Sequence, residues 1–126
     1  TILEKFYSTN HQVLNMTKLY LDDIRTAPEG WELVTNYNQF VAFITEHGLP
    51  EAISFDHDLA DEHHLGFNEK VINYESYREK TGYDCAKWLF EYCQTNQLPL
   101  PEWQVHSRSI VGARNIEKLL GSFNNE

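Results

Sequence analysis

The chain has 126 residues, 41% hydrophobic and 13% aromatic, with 19 acidic residues against 10 basic and a formal charge of -9. That length fits one domain around one core, and the charge argues against wrapping a long nucleic acid through its phosphates. No apolar run approaches the ~20 residues that span a bilayer. The opening TILEKFYSTNHQ has no basic start leading into an apolar stretch, so we expect no signal peptide, no membrane association and a cytoplasmic protein.

Met16 is the only methionine and stands just before the first clear strand. Taken as an original start, it makes residues 1–16 an appended or flexible arm ahead of a single domain over 17–126.

KLYLDD (18–23) is a short apolar run ending in two carboxylates, followed by the turn-rich IRTAPEGW. ELVTN (32–36) is a second strand. NYNQFVAFITEHG reads as a helix capped by Asn36 and closed by Gly48, with Tyr37, Phe40, Val41 and Ile44 on one face. EAISFD (51–56) is the third strand. Residues 59–80 form a long polar connection carrying Phe67, Tyr74 and Tyr77, with some helix from Asn68 onward; excursions of this length are usually lids or binding loops.

TGYDCAKWLFEYCQ opens with Thr81 and Asp84 in capping-box spacing and buries nearly every other face, so it is a central helix. Cys85 and Cys93, the only two cysteines, lie within it and cannot bridge each other; they are reduced, buried small hydrophobes. EWQVHS (102–107) is the fourth strand, and GARNIEKLLGSF the last helix.

Strands alternating with helices imply a parallel sheet covered on both faces. The expected fold is an α/β three-layer sandwich with a short, mainly parallel sheet of order 2-1-3-4. One step is irregular, because residues 22–30 are too few for an ordinary parallel crossover. Either the first helix is reduced to a loop or the second strand is misplaced.

In this topology three strands end in polar residues at one edge: Asp22 and Asp23, then Asp56, His57 and Asp58, then His106 and Ser107. Ligands bind at that edge in open α/β sheets. Taken singly, each residue has a plain structural reading: a turn, a cap or a satisfied histidine. Asp84 is a helix cap, and His63 and His64 read as loop surface.

Together they suit phosphate-ester hydrolysis. His57 and His106 titrate near neutrality and can act as base and acid. Arg25 and Arg114 can clamp phosphoryl oxygens, and the amides before the last helix can hold an anion. Asp22, Asp23 and Asp56 can either hold Mg²⁺ or another divalent cation, or orient the histidines.

LDDIRTAPEGW, ISFDHDL, TGYDCAKWL and VHSRSIVGARNI together resemble the cyclic-phosphate-processing receiver domains, a divergent branch of the response-regulator receiver fold. The resemblance covers roughly residues 17–121 and implies a Rossmann-like fold acting on cyclic-phosphate RNA ends or cyclic nucleotides. The matching positions are Asp22, Asp23, Arg25, Asp56, His57, Asp58, Asp84, His106, Ser107 and Asn115. The chain departs from that pattern at Ser109-Ile110, where such domains commonly carry Asn-Pro, and at Ala60, where a glycine usually follows.

A true phosphoacceptor receiver needs a lysine ending a fifth strand, whereas Lys118 falls within a helix. Two readings remain: a phosphoesterase acting on a cyclic phosphate with catalytic His57, His106, Asp56 and Asp58 and phosphate-binding Arg25, Ser107, Arg114 and Asn115, or a non-catalytic module that sequesters a nucleotide or small phosphorylated ligand.

Overall fold

A computed structural model describes residues 16–64 and 72–124. Residues 1–15 of the arm expected over 1–16, together with Phe67 and the helix start at Asn68, lie outside the described residues.

Strands β1 (Lys18–Leu21), β2 (Trp31–Val34), β3 (Ala52–Phe55) and β4 (Glu102–Val105) form one sheet in the order β2-β1-β3-β4. All neighbours are parallel, with Leu21 level with Val34 and Phe55, and Phe55 level with Val105. Helices α1 (Tyr37–His47), α3 (Gly82–Thr95) and α4 (Ile110–Gly121) follow β2, β3 and β4 in the described chain, and a one-turn α2 (Asp61–His64) and a 3₁₀ turn (Tyr74–Ser76) interrupt the long connection. This is the expected receiver-like α/β fold, and the second strand, expected over 32–36, runs from Trp31 to Val34.

Local chemistry sets the helix starts. The Asn36 side chain accepts from the Gln39 amide at the head of α1. Thr81 and Asp84 form a reciprocal capping box at the head of α3. At α4 the Ser109 hydroxyl accepts from the Gly112 amide, so the helix begins at Ile110, two residues earlier than the sequence pattern suggested. Serine caps about as well as the asparagine common at that position, so the departure at Ser109 keeps the helix start.

Alternation along the strands decides the core. Leu19, Leu21, Val34, Ile53 and Phe55 share one buried cluster with Phe40 and Ile44 of α1, Cys85, Leu89 and Cys93 of α3, and Ile116 and Leu120 of α4. Each fully buried Leu, Ile or Phe contributes about 1.5–3 kcal/mol. Both cysteines are free and buried, as expected.

The other strand parity carries Tyr20, Trp31 and Ser54, outside that cluster. Among the described residues no helix joins these side chains, so the expected cover on both faces is helical on one face only. The cause is the β1–β2 link, residues 22–30, which is a loop without a helix. The two remaining crossovers, β2 to β3 and β3 to β4, run the same way across the sheet, and right-handed connections in one direction place their helices on one face.

The start of α3 abuts the end of β3. The Gly82 amide donates to the His57 carbonyl at 2.7 Å, and a Cβ on Gly82 would overlap the Asp56 carbonyl oxygen. Gly82→Ala is therefore expected to cost about 3 kcal/mol or more through forced backbone displacement, read as a lowered midpoint in urea; an unchanged midpoint would show that helix and strand end do not meet so closely.

Candidate active site

Beyond the carboxyl ends of β1, β3 and β4 lies a cavity of about 220 Å³ lined by Asp22, Ile24, Arg25, Asp56, Asp58 and Arg108. Three carboxylates, all nearly buried (Asp22 1%, Asp56 6%, Asp58 5% exposed), face two guanidiniums. The volume is below that of a pocket enclosing a drug-sized ligand, and suits a phosphate-sized group whose remainder lies outside.

Asp22 is held by four hydrogen bonds. Its Oδ1 accepts from the amides of Ile24 and Arg25 at 2.9 Å each, and its Oδ2 accepts from Arg25 Nη1 at 3.1 Å and His106 Nε2 at 2.9 Å. Burial alone would raise its pKa. The two amides, with His106 and Arg25, outweigh burial and hold the carboxyl below its ordinary value.

Asp56 has the opposite balance. Burial pushes its pKa up to about 7, the negative charge of Asp22 adds to the rise, and the His57 amide, 2.9 Å from Oδ1, offsets only part of it.

His106 stands behind Asp22. The Gln104 amide donates to Ser54 Oγ at 3.1 Å, the Ser54 hydroxyl lies 2.7 Å from His106 Nδ1, and His106 Nε2 donates to Asp22. Its ring stacks on Tyr20, with centroids 4.2 Å apart. Burial lowers its pKa, while the bond to Asp22 pulls the other way. One donor atom each from Asp22, Asp56 and His106 lies within 4.8 Å of the others, so these three side chains could hold a metal ion.

His57 lies elsewhere. It is 1% exposed and absent from the cavity wall. Its Nδ1 is 2.7 Å from Asp58 Oδ1 and its Nε2 2.9 Å from the Tyr74 hydroxyl, which also accepts from Asn115 Nδ2 at 2.9 Å. Helix α4 crosses the ring closely at Gly112, where a Cβ would overlap His57 Cγ. The two histidines expected to face each other across the site therefore point to different surroundings.

Other expected residues divide similarly. Arg25 lines the cavity, whereas Arg114 is exposed on α4 and does not; the second cavity arginine is Arg108, which the sequence reading missed. Its signal was its place directly after His106-Ser107. Asp23 is partly buried next to Asp22 but belongs neither to the cavity wall nor to the donor trio, whose third member is His106. Ser107 Oγ accepts the Ser109 amide, and Ser109 Oγ accepts that of Gly112, so these amides before and within α4 serve the loop itself. Asn115 supports Tyr74, and Asp84 is the cap expected of it.

None of the described residues of the connection after β3 lines this cavity. His63, expected on the surface, is buried: its Nδ1 accepts from the Leu59 amide at 2.8 Å, and its Nε2 donates to the Glu79 carbonyl at 2.8 Å. Tyr77 packs against its ring, with centroids 4.6 Å apart.

Because Asp56 holds its proton far more tightly folded than at the ~3.9 of an unfolded aspartate, the native state loses stability as pH rises from about 4 through about 7. Asp56→Asn removes that loss. In EDTA, its Tm is expected to exceed wild type by roughly 5 °C at pH 8 and to match it near pH 4. A variant no more stable than wild type at pH 8 would show that the carboxylate is not strained by its surroundings.

The model of the cyclic-phosphate processing receiver domain matches residues 17–122 of the chain. No curated protein and no solved structure matches it.

Proposed function

The chain belongs to the cyclic-phosphate processing receiver domain family, and from that premise we propose that its strand-end cavity hydrolyses a cyclic phosphate diester carried on a small molecule, such as a cyclic nucleotide. The observation that carries this reading is the convergence of Asp56 and Asp58 with Arg25 and Arg108 on one phosphate-sized cavity. The charge of -9 favours a compact substrate over a long polyanion.

Ring opening needs a base for water, an acid for the leaving oxygen and positive charge on the phosphoryl group. Asp58, tied through Oδ1 to His57, takes a proton from the attacking water. The water oxygen bonds to phosphorus as one ring P–O bond breaks. Asp56, which retains a proton near neutrality, gives it to the departing oxygen. The product is a linear monoester with a free hydroxyl, and proton exchange with solvent restores both carboxyls. Arg25 and Arg108 stabilise the charge that builds on the non-bridging oxygens.

His57 and His106 then orient carboxylates, and direct acid-base contact passes to Asp56 and Asp58. Asp22, Asp56 and His106 could hold a divalent cation in a second arrangement, with Asp56 ionised and the His106 hydrogen moved to Nδ1 toward Ser54 Oγ; there Asp56 would be a ligand and not the proton donor. This mixed oxygen and nitrogen set suits Mn²⁺ or Zn²⁺ at least as well as Mg²⁺. A bound cation would supply charge neutralisation at the phosphoryl oxygens.

The test is incubation with 2′,3′-cyclic, 3′,5′-cyclic and linear phosphate esters, with Mg²⁺, with Mn²⁺ or with EDTA. Wild type should open at least one cyclic ester. Asp56→Asn and Asp58→Asn should each lower kcat at least about a hundredfold, and Arg108→Ala should raise KM about tenfold. Cyclic ligand bound but left intact would establish the sequestering module instead, and wild-type turnover in Asp56→Asn would place the chemistry elsewhere.

A further inference from the structure

Tyr74 lies fifteen residues beyond Leu59, where the connection begins, and does not touch the cavity, yet its hydroxyl is coupled to a cavity carboxylate through one ring. Asn115 donates to the Tyr74 oxygen, and the phenolic proton is available to a second partner. Burial pushes the Tyr74 pKa up to about 12, so the proton is present. Asp58 Oδ1, 2.7 Å from His57 Nδ1, can only accept, so Nδ1 carries the ring hydrogen and Nε2, 2.9 Å from the Tyr74 oxygen, is the acceptor of the phenolic proton. Gly112 of α4 closes on the His57 ring from one side.

The same order of groups occurs at the other histidine, where Gln104, Ser54, His106 and Asp22 run carboxamide, hydroxyl, imidazole, carboxylate. In both rows the carboxylate can only accept, so the ring nitrogen facing it carries the hydrogen and the opposite nitrogen is left to accept the hydroxyl proton. The histidine tautomer is thereby set, and with it the face shown to the carboxylate.

We infer that Tyr74 is a positioning residue of the cavity: its hydroxyl holds His57 as the Nδ1–H tautomer, and that tautomer fixes the Asp58 carboxylate where it meets substrate. The kinetic consequence rests on the proposed hydrolysis, whereas the tautomer does not. Tyr74 is stacked on Tyr83, with centroids 4.6 Å apart and planes 18° from parallel, so its ring position is held independently of the hydroxyl. Removing only that oxygen therefore isolates its effect on His57.

The experiment compares full-length wild type with Tyr74→Phe, using ¹⁵N-histidine NMR, thermal melting and turnover of the cyclic ester that wild type opens. In wild type, His57 should show a protonated Nδ1 and an unprotonated, hydrogen-bonded Nε2. In Tyr74→Phe the two nitrogens should move toward a mixture of tautomers, with Tm within a few degrees and kcat reduced about tenfold or more at a KM within twofold. Asn115→Ala, which frees the phenolic oxygen but leaves the hydroxyl, should move the nitrogens less and in the same direction. Unchanged His57 nitrogens in Tyr74→Phe overturn the inference, as does a tautomer shift with undiminished kcat. If wild type opens no ester, the hydrolysis reading fails and the nitrogen signals alone decide the role of Tyr74.

Discussion

Four hydrogen bonds converge on the Asp22 carboxylate, and through them the end of β1 is tied to the loop that follows and to the end of β4. A buried carboxylate is stable only when so surrounded. The two amides it accepts belong to Ile24 and Arg25, so the same interaction that satisfies the charge also folds the chain sharply after β1. That turn replaces the crossover helix which a parallel β1–β2 connection ordinarily contains. With that helix absent, the sheet has no helical cover on the Tyr20 and Ser54 face among the described residues. Asp22, Asp56 and His106 share the strand parity of that face, which places the cavity at its upper edge.

Asp22 also conditions its neighbours. Its negative charge, supplied with donors and therefore retained, helps to keep Asp56 protonated near neutrality. Two carboxyls at adjacent strand ends thus have proton affinities driven apart by their surroundings: one surrounded by donors, the other nearly deprived of them. Such divergence allows one carboxyl to remain charged while another acts as a proton donor. The helical side contributes through the second histidine, since His57 turns toward α4 and reaches the cavity only by way of Asp58.

The Asp56-His57-Asp58 triplet shows how far a pattern can be read. Its departure from an apolar strand signals a site, because three titratable side chains in succession have no place in a packed interior. Which of the three face a ligand depends on alternation beyond Phe55, and on what covers each side of the sheet. Here the two aspartates share a parity and line the cavity, while the histidine takes the other and packs beneath a helix. His63 teaches a similar lesson: nothing in a polar connection marks a histidine whose two nitrogens bind backbone groups sixteen and four residues away.

By itself the sequence determined the strand order, the parallel sense, the helices with their caps at Asn36 and Thr81, and the gathering of acidic and imidazole residues at one edge. These follow from local propensity and from hydrophobic period, which are properties of short segments. Tertiary structure alone decided that Arg108 and not Arg114 reaches the cavity, that His106 and not Asp23 completes the donor trio, and that His57 is held by Tyr74 and Asn115. Those outcomes depend on side-chain direction and on contacts between segments distant in the chain, which no periodicity within a segment encodes.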